Sequence, residues 1–298
     1  MDGASLLYFI VAVFVLIWSG SLLVKHLTRI AQFLKLSEFT IGFILMALAT
    51  SLPEVLVGVQ AAISGVPELS LGDVIGSNIL DMTLIFGLVL VLSRRIVIES
   101  AAAKLNINYV FFISLVPVLL LADRVLSRFD GVILLCVFLW YVRHLYVEQK
   151  EFTKKVNGVN KKQFAWSTFL VIIGAVLLIY SSYYTVQYAS AMAIDFGLPL
   201  FFVGIMMLAF GTSLPELVFE TKAVLNGHKG MALGDLYGSV VFNSTIVLAI
   251  TALINPIVVS SVTSFIFGVI FLVLSLMLFL VFVKHGTMSW QEGIVLVL

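Results

Sequence analysis

Ala49-Thr50-Ser51-Leu52-Pro53-Glu54 lies inside an otherwise apolar run, and Gly211-Thr212-Ser213-Leu214-Pro215-Glu216 says nearly the same thing at an offset of 162 residues. Each copy puts a carboxylate directly after a helix-breaking proline. The same offset relates Ser19 to Ser181, Gly42 to Gly204, Gly65 to Gly227, Gly72 to Gly234, Asp73 to Asp235, Gly76 to Gly238 and Ser77 to Ser239. The matched spans run from about Ile17 to Gly87 and from about Ile179 to Ala249, so the chain reads as a tandem duplication of one unit.

Composition sets the solvent. Hydrophobic residues make up 61% of the 298 and charged residues 11%, with a mean hydropathy of +1.16. That leaves too little polar surface to coat a water-soluble globule, and the class expected is an all-α integral membrane protein. The net charge of +1 excludes nothing by itself. Cys136 is the single cysteine and lies in an apolar run, so no disulfide framework exists. Upstream of the first apolar run stands only Asp2, with Lys25 and Arg29 after it. This is the reverse of a cleavable signal peptide, and the first run is expected to be a retained helix.

A helix rises about 1.5 Å per residue, so a hydrocarbon core about 30 Å thick takes roughly 20 apolar residues. Ten segments are predicted, centred on Leu6 to Val24, Thr40 to Ile63, Leu71 to Leu92, Tyr109 to Leu121, Val132 to Val147, Ser167 to Ala189, Phe201 to Leu225, Met231 to Leu253, Ser264 to Val283 and Gln291 to Leu298. The tenth is short and reads as a partial or truncated helix. Five spans per copy is an odd number, so the second copy enters the membrane from the opposite side: two inverted five-helix repeats, 1–147 and 165–298, joined by a linker at 148–164. In such folds the substrate site lies near the bilayer midplane between the halves. Lys25, Arg29, Lys35, Arg94, Arg95, Lys104, Arg143, Lys150, Lys154, Lys155, Lys161, Lys162, Lys229 and Lys284 fall on one face, against Arg124 and Arg128 on the other. The positive-inside rule then puts the N-terminus outside the cell membrane and the Lys- and Glu-rich linker in the cytoplasm.

Six acids fall inside the predicted spans: Glu54, Asp73, Asp81, Glu216, Glu220 and Asp235, with Lys222 as the one intramembrane base. A charge at a helix centre costs about 2.5–3.5 kcal/mol on insertion scales, so such residues face a cavity and neutralise something. Pro53 and Pro215 have no N–H for the carbonyls of Ala49 and Gly211, and each ring opens the turn before it. In lipid, backbone groups freed in this way need protein, water or an ion. Ala47, Ser51, Glu54 and Gly58 share one helical face, and Ala209, Ser213, Glu216 and Glu220 repeat it. Asp73, Ser77 and Asp81 line one face of the next span, as do Asp235, Ser239 and Asn243 in the copy, with Asn78 just off the stripe. Gly72 with Gly76, and Gly234 with Gly238, are small-xxx-small pairs that let helices approach closely. The donor set is all oxygen and side-chain amide, which suits a hard cation such as Ca²⁺. No Cys or His is expected in the cores of the repeats, against softer metals, and His228 reads as a loop residue.

The pair Gly/Ala-Thr-Ser-Leu-Pro-Glu, each followed by Gly-Asp-x-x-Gly-Ser and a further Asn or Asp, resembles the two alpha-repeats of the calcium/cation antiporter superfamily, most closely its prokaryotic sodium/calcium exchangers. The resemblance covers about half of the chain. It implies a ten-helix inverted-repeat exchanger with four cation sites at its centre. Carried over by position, it implies Glu54 and Glu216 as principal Ca²⁺ ligands with the carbonyls of Thr50 and Thr212. Ser51, Ser213, Ser77 and Ser239 would line flanking Na⁺ sites with the carbonyls of Ala47 and Ala209, and Asp81 and Asn243 would complete the centre. Relative to that family pattern, Asp81 and Asn243 are exchanged between halves, Asp73 and Asp235 stand where Asn is common, and Glu220 faces Gly58 with no acidic counterpart.

The function expected is a secondary antiporter, not an enzyme, that exchanges Ca²⁺ for Na⁺ by alternating access. Its partners are the lipid bilayer and inorganic cations, with no cofactor and no nucleic acid. Glu220, Asp73, Asp235 and Asn78 are pathway residues. Exchange for H⁺, or K⁺-dependent exchange, stays open at this level. An intramembrane aspartyl protease needs Gly-x-Gly-Asp, whereas Asp73 follows Ser70-Leu71-Gly72 and Asp235 follows Ala232-Leu233-Gly234. A passive channel fits the oxygen donors but leaves the inverted duplication without a purpose.

Overall fold

Residues 3–33, 47–97, 101–148 and 161–298 are described by the computed structural model of this chain. Gly42, Lys35, the start of the second predicted span and most of the 148–164 linker lie outside the described residues. The rest is almost entirely helical, because a chain in lipid must satisfy its backbone within each segment. In order come α1 (Gly3–Phe33), α2 (Ala47–Thr50), α3 (Leu52–Ile63), α4 (Glu68–Leu80), a π-turn (Asp81–Ile85), α5 (Phe86–Ser93), β1 (Arg95–Val97), α6 (Ala101–Leu120), β2 (Val125–Leu126) and α7 (Arg128–Glu148). There follow α8 (Lys161–Phe196), α9 (Leu200–Val203), a second π-turn (Gly204–Leu208), α10 (Ala209–Thr212), α11 (Leu214–Leu225), α12 (Lys229–Phe242), a third π-turn (Asn243–Val247), α13 (Leu248–Ile254), β3 (Ile257–Val258), α14 (Val262–Lys284), β4 (Thr287–Ser289) and α15 (Trp290–Val297).

Among the described residues six helical stretches are long and apolar enough to cross a membrane: Leu6–Leu27, Glu68–Ser93, Lys162–Phe196, Leu200–Leu225, Lys229–Ile254 and Val262–Lys284. Leu52–Ile63 and Ile107–Asp123 are shorter apolar helices. The outside of the molecule is apolar, with Phe14, Trp18, Ile172, Phe267, Phe271 and Leu274 each more than half exposed. A surface of that kind is wetted by lipid rather than water.

Two small ribbons define two ends. At one, β1 pairs antiparallel with β4, Ile96 opposite Met288, Trp290 N–H donates to the Arg94 carbonyl at 3.0 Å, and Lys229 Nζ donates to the Arg95 carbonyl. At the other, β2 pairs with β3, Leu126 opposite Ile257. There Arg128 Nε donates to the Leu253 carbonyl at 3.0 Å, and Glu68 accepts from the Ser260 N–H at 2.9 Å and from the Ser260 hydroxyl. The stretch α4–α5, the helix α6, the stretch α12–α13 and α14 each run from one end to the other.

The packing of α4 depends on two of its glycines. A Cβ on Gly72 would sit 2.2 Å from the Phe201 carbonyl oxygen, and one on Gly76 would sit 2.6 Å from the Ala209 Cβ. These contacts seat α4 directly on α9, the second π-turn and α10, so one half of the sequence lies against the other. Elsewhere α1 lies along α8, and their facing side chains, Leu16, Leu23, Leu178 and Val186 among them, form one of two buried apolar clusters. The larger cluster is built mainly from α4–α7 and α11–α14, with Phe201 of α9 and Leu296 of α15.

Candidate cation site

Both Pro-Glu segments break where proline requires it. Ser51 (φ −82°, ψ 7°) separates α2 from α3, and Ser213 (φ −83°, ψ 1°) separates α10 from α11. The two breaks have the same backbone conformation and lie together. Gly20, in the middle of α1, packs between them, since a Cβ there would stand 3.0 Å from Pro215 Cγ and 3.2 Å from Pro53 Cγ.

Each break is held by the stripe from the other half. Thr50 Oγ1 donates to Asp235 Oδ1 at 3.3 Å and lies 3.3 Å from Ser239 Oγ. In mirror image, Thr212 Oγ1 donates to Asp73 Oδ1 at 3.0 Å and lies 3.3 Å from Ser77 Oγ. The Ala47 carbonyl accepts the Ser51 N–H and the Ala209 carbonyl the Ser213 N–H, both at 3.1 Å, and each also lies within hydrogen-bond reach of the threonine hydroxyl of its own break, Thr50 at 3.3 Å and Thr212 at 3.4 Å. Asn78 bridges across as well: its Nδ2 donates to Ser244 Oγ at 2.8 Å, and its Oδ1 accepts from Asn243 Nδ2 at 3.4 Å.

The remaining polar atoms are buried and lack hydrogen-bond partners. All six predicted intramembrane acids are at most 1% exposed. Both carboxylate oxygens of Glu54, Asp81, Glu216 and Glu220, one oxygen each of Asp73 and Asp235, the hydroxyls of Ser51 and Ser213, and Asn243 Oδ1 have no partner. Glu54, Asp81 and Glu216 lie within electrostatic reach of one another. Among the described residues no Lys or Arg side chain is buried. Unpaired charge in such surroundings is strongly unfavourable, so this group of oxygens has the chemistry of a site that is neutralised by cations from outside the protein. The residues fit hard cations in donor type. In this conformation no three Asp, Glu, His or Cys side chains among the described residues converge to hold a metal by themselves, so hydroxyls, amides and carbonyls would have to contribute.

Several sequence expectations change. Lys222, the one base in the predicted spans, is exposed on α11, while Glu220 is buried with both oxygens unpartnered. His26 is buried, against the expectation of no core histidine, but its Nδ1 is 3.1 Å from Ser167 Oγ where α1 meets α8. His228 does sit in the turn before α12. The sequence reading missed the three π-turns. Two of them begin at Asp81 and Asn243, which are a pair at the 162-residue offset, and π-turns inside helices concentrate at functional sites. Ser244 was also missed, because it lies off the Asp235–Ser239–Asn243 stripe and its counterpart at the 162-residue offset is Met82, so the duplication does not mark it.

Fold and site together define a multi-pass membrane protein built around a buried, acid-rich cluster of oxygen atoms. A profile described as sodium/calcium exchanger protein matches residues 4–147 and 166–298. The putative antiporter CaxA of Alkalimonas amylolytica is 30% identical over 258 residues, covering 84% of this chain and 81% of that protein. The sodium/calcium exchanger MaX1 of Methanosarcina acetivorans is 27% identical, covering 92% and 90%. Among solved structures, the sodium-calcium exchanger NCX_Mj superposes with a TM-score of 0.68 at 28% identity over 99% of this chain and 96% of that one. The H⁺/Ca²⁺ exchanger CAX superposes with a TM-score of 0.80 at 16% identity, over 98% and 79%, a likeness of fold alone. This chain belongs to the sodium/calcium exchanger family, within the calcium/cation antiporter superfamily. It is accordingly a secondary transporter of the membrane rather than an enzyme.

Proposed function

We propose that this protein exchanges Ca²⁺ for Na⁺ across the cell membrane by alternating access. The observation that carries the reading is the set of unpartnered carboxylate oxygens on Glu54, Asp81 and Glu216, drawn from both halves of the sequence with no buried Lys or Arg among the described residues to neutralise them. Three carboxylates bear about three negative charges when ionised. One Ca²⁺ or several Na⁺ satisfy them in turn, and ions that compete for shared oxygens exchange rather than leak.

In this reading Glu54 and Glu216 are the principal Ca²⁺ ligands, with the carbonyls of Thr50 and Thr212 and with Asp81 and Asn243 beside them. Ser51, Ser213, Ser77 and Ser239, with the carbonyls of Ala47 and Ala209, serve Na⁺. Asp73, Asp235 and Asn78 support the pathway. The duplication is inverted, ten helices in two repeats of 1–147 and 165–298, with the N-terminus outside. The mirrored Thr–Asp bonds and the sorting of connectors into two ends support that architecture. No cofactor takes part; the ions are the substrate.

The test is Ca²⁺ uptake by proteoliposomes under an outward Na⁺ gradient at fixed pH, compared with a pH gradient in the absence of Na⁺. Uptake under the Na⁺ gradient is the expected result. Uptake only under the pH gradient would refute Na⁺ coupling and establish proton exchange.

A further inference from the structure

We propose that Glu220 and Asp235 form an additional subsite for a monovalent hard cation, Na⁺, one helical turn from the Glu54–Glu216 centre and present in only one half of the molecule. This deepens the exchange reading above and rests on it.

The two carboxylates belong to one helical hairpin. Glu220 lies five residues before the end of α11 at Leu225, and Asp235 six residues after the start of α12 at Lys229. At about 1.5 Å per residue they stand about 7.5 and 9 Å from the shared turn, at nearly one depth on adjacent antiparallel helices. Asp235 and Asp81 both lie within electrostatic reach of Glu220, and Asp81 within reach of Asp235. Neither acid is exposed at all. Asp235 spends Oδ1 on Thr50, while Asp235 Oδ2 and both oxygens of Glu220 are buried without a partner. The base two positions along, Lys222, is exposed and leaves these oxygens unmatched.

The other half has no equivalent. The 162-residue offset pairs Glu220 with Gly58, and Gly58 is walled in: a Cβ there would meet Thr251 Oγ1 at 2.7 Å and Ser70 Oγ at 2.8 Å. Those two hydroxyls satisfy each other at 3.0 Å. Their counterparts at the same offset are Val89 and Ala232, both buried and apolar. The space beside Gly58 is closed by a hydroxyl pair contributed one from each half, whereas the matching position keeps an uncompensated carboxylate that its apolar surroundings cannot satisfy. Three free carboxylate oxygens are too few for Ca²⁺, which takes six to eight oxygens, and among the described residues no three acids converge on a metal. A single positive charge fits the pair.

The test is equilibrium binding of radioactive Na⁺ to purified protein, with Ca²⁺ binding measured on the same samples. Glu220→Gln is expected to hold one Na⁺ fewer per protein than wild type while still binding Ca²⁺. Asp235→Asn, which keeps the acceptor for Thr50, is expected to show the same loss and serves if the first variant fails to fold. An unchanged Na⁺ count in either folded variant would overturn the subsite. Loss of a Ca²⁺-linked proton release in Glu220→Gln with the Na⁺ count intact would overturn it too, in favour of a proton. Wild type that binds no Ca²⁺ without Na⁺ would instead overturn the exchanger reading and this subsite with it.

Discussion

At Glu54 and Glu216, complete burial coincides with the absence of any hydrogen-bond partner for four carboxylate oxygens. Removing the charge while keeping the shape isolates what these side chains do. Glu54→Gln and Glu216→Gln are each expected to weaken Ca²⁺ binding by at least about tenfold, about 1.4 kcal/mol, as measured by calorimetric titration of the purified protein; unchanged affinity in both would remove them from the proposed ligand set. The residue types at this centre were legible in the sequence because acids, hydroxyls and a proline are costly inside an apolar run and therefore conspicuous. Which hydroxyls are engaged was not legible. Ser77 and Ser239 hydrogen-bond to threonines of the opposite half, whereas Ser51 and Ser213 stay unpartnered, and only contacts between distant segments separate the two pairs.

At the scale of elements, proline dictates the breaks at Ser51 and Ser213, and its position in the sequence was enough to predict them. The π-turns at Asp81–Ile85 and Asn243–Val247 were not predictable in that way, because the extra residue in the turn leaves no compositional mark. The seating of α4 on the α9–α10 segment is testable through its glycines. Gly72→Ala places a methyl 2.2 Å from a backbone oxygen that cannot rotate away. Overpacking of this kind costs about 1–3 kcal/mol or more, so its melting temperature in detergent should fall below wild type. Gly230→Ala, with nothing within 4 Å of the added methyl, should leave melting unchanged or raise it slightly. Equal melting of the two variants would contradict the close approach.

The molecule as a whole sorts its connectors into two ends, and the bases follow that division: Arg94, Arg95 and Lys229 at one, Arg124 and Arg128 at the other. The proposed orientation puts the first group in the cytoplasm. It can be read with single cysteines in a Cys136→Ser background. Ala122→Cys, exposed just before β2, should react with a membrane-impermeant maleimide in intact cells, and Asn226→Cys, exposed between α11 and α12, only after permeabilisation. The reverse pattern would place the N-terminus inside.

By itself the sequence determined the membrane class, the duplication and the inventory of buried oxygen donors, because hydropathy, a constant offset and the cost of charge in lipid are all properties of residues in order along a chain. Only the tertiary structure decided how the two halves meet: which threonine is gripped by which acid, that Gly20 lies between both prolines, that Lys222 turns outward, and that Glu220 is buried without a hydrogen-bond partner. Those outcomes depend on contacts between segments far apart in the sequence, which packing sets and local sequence pattern does not encode.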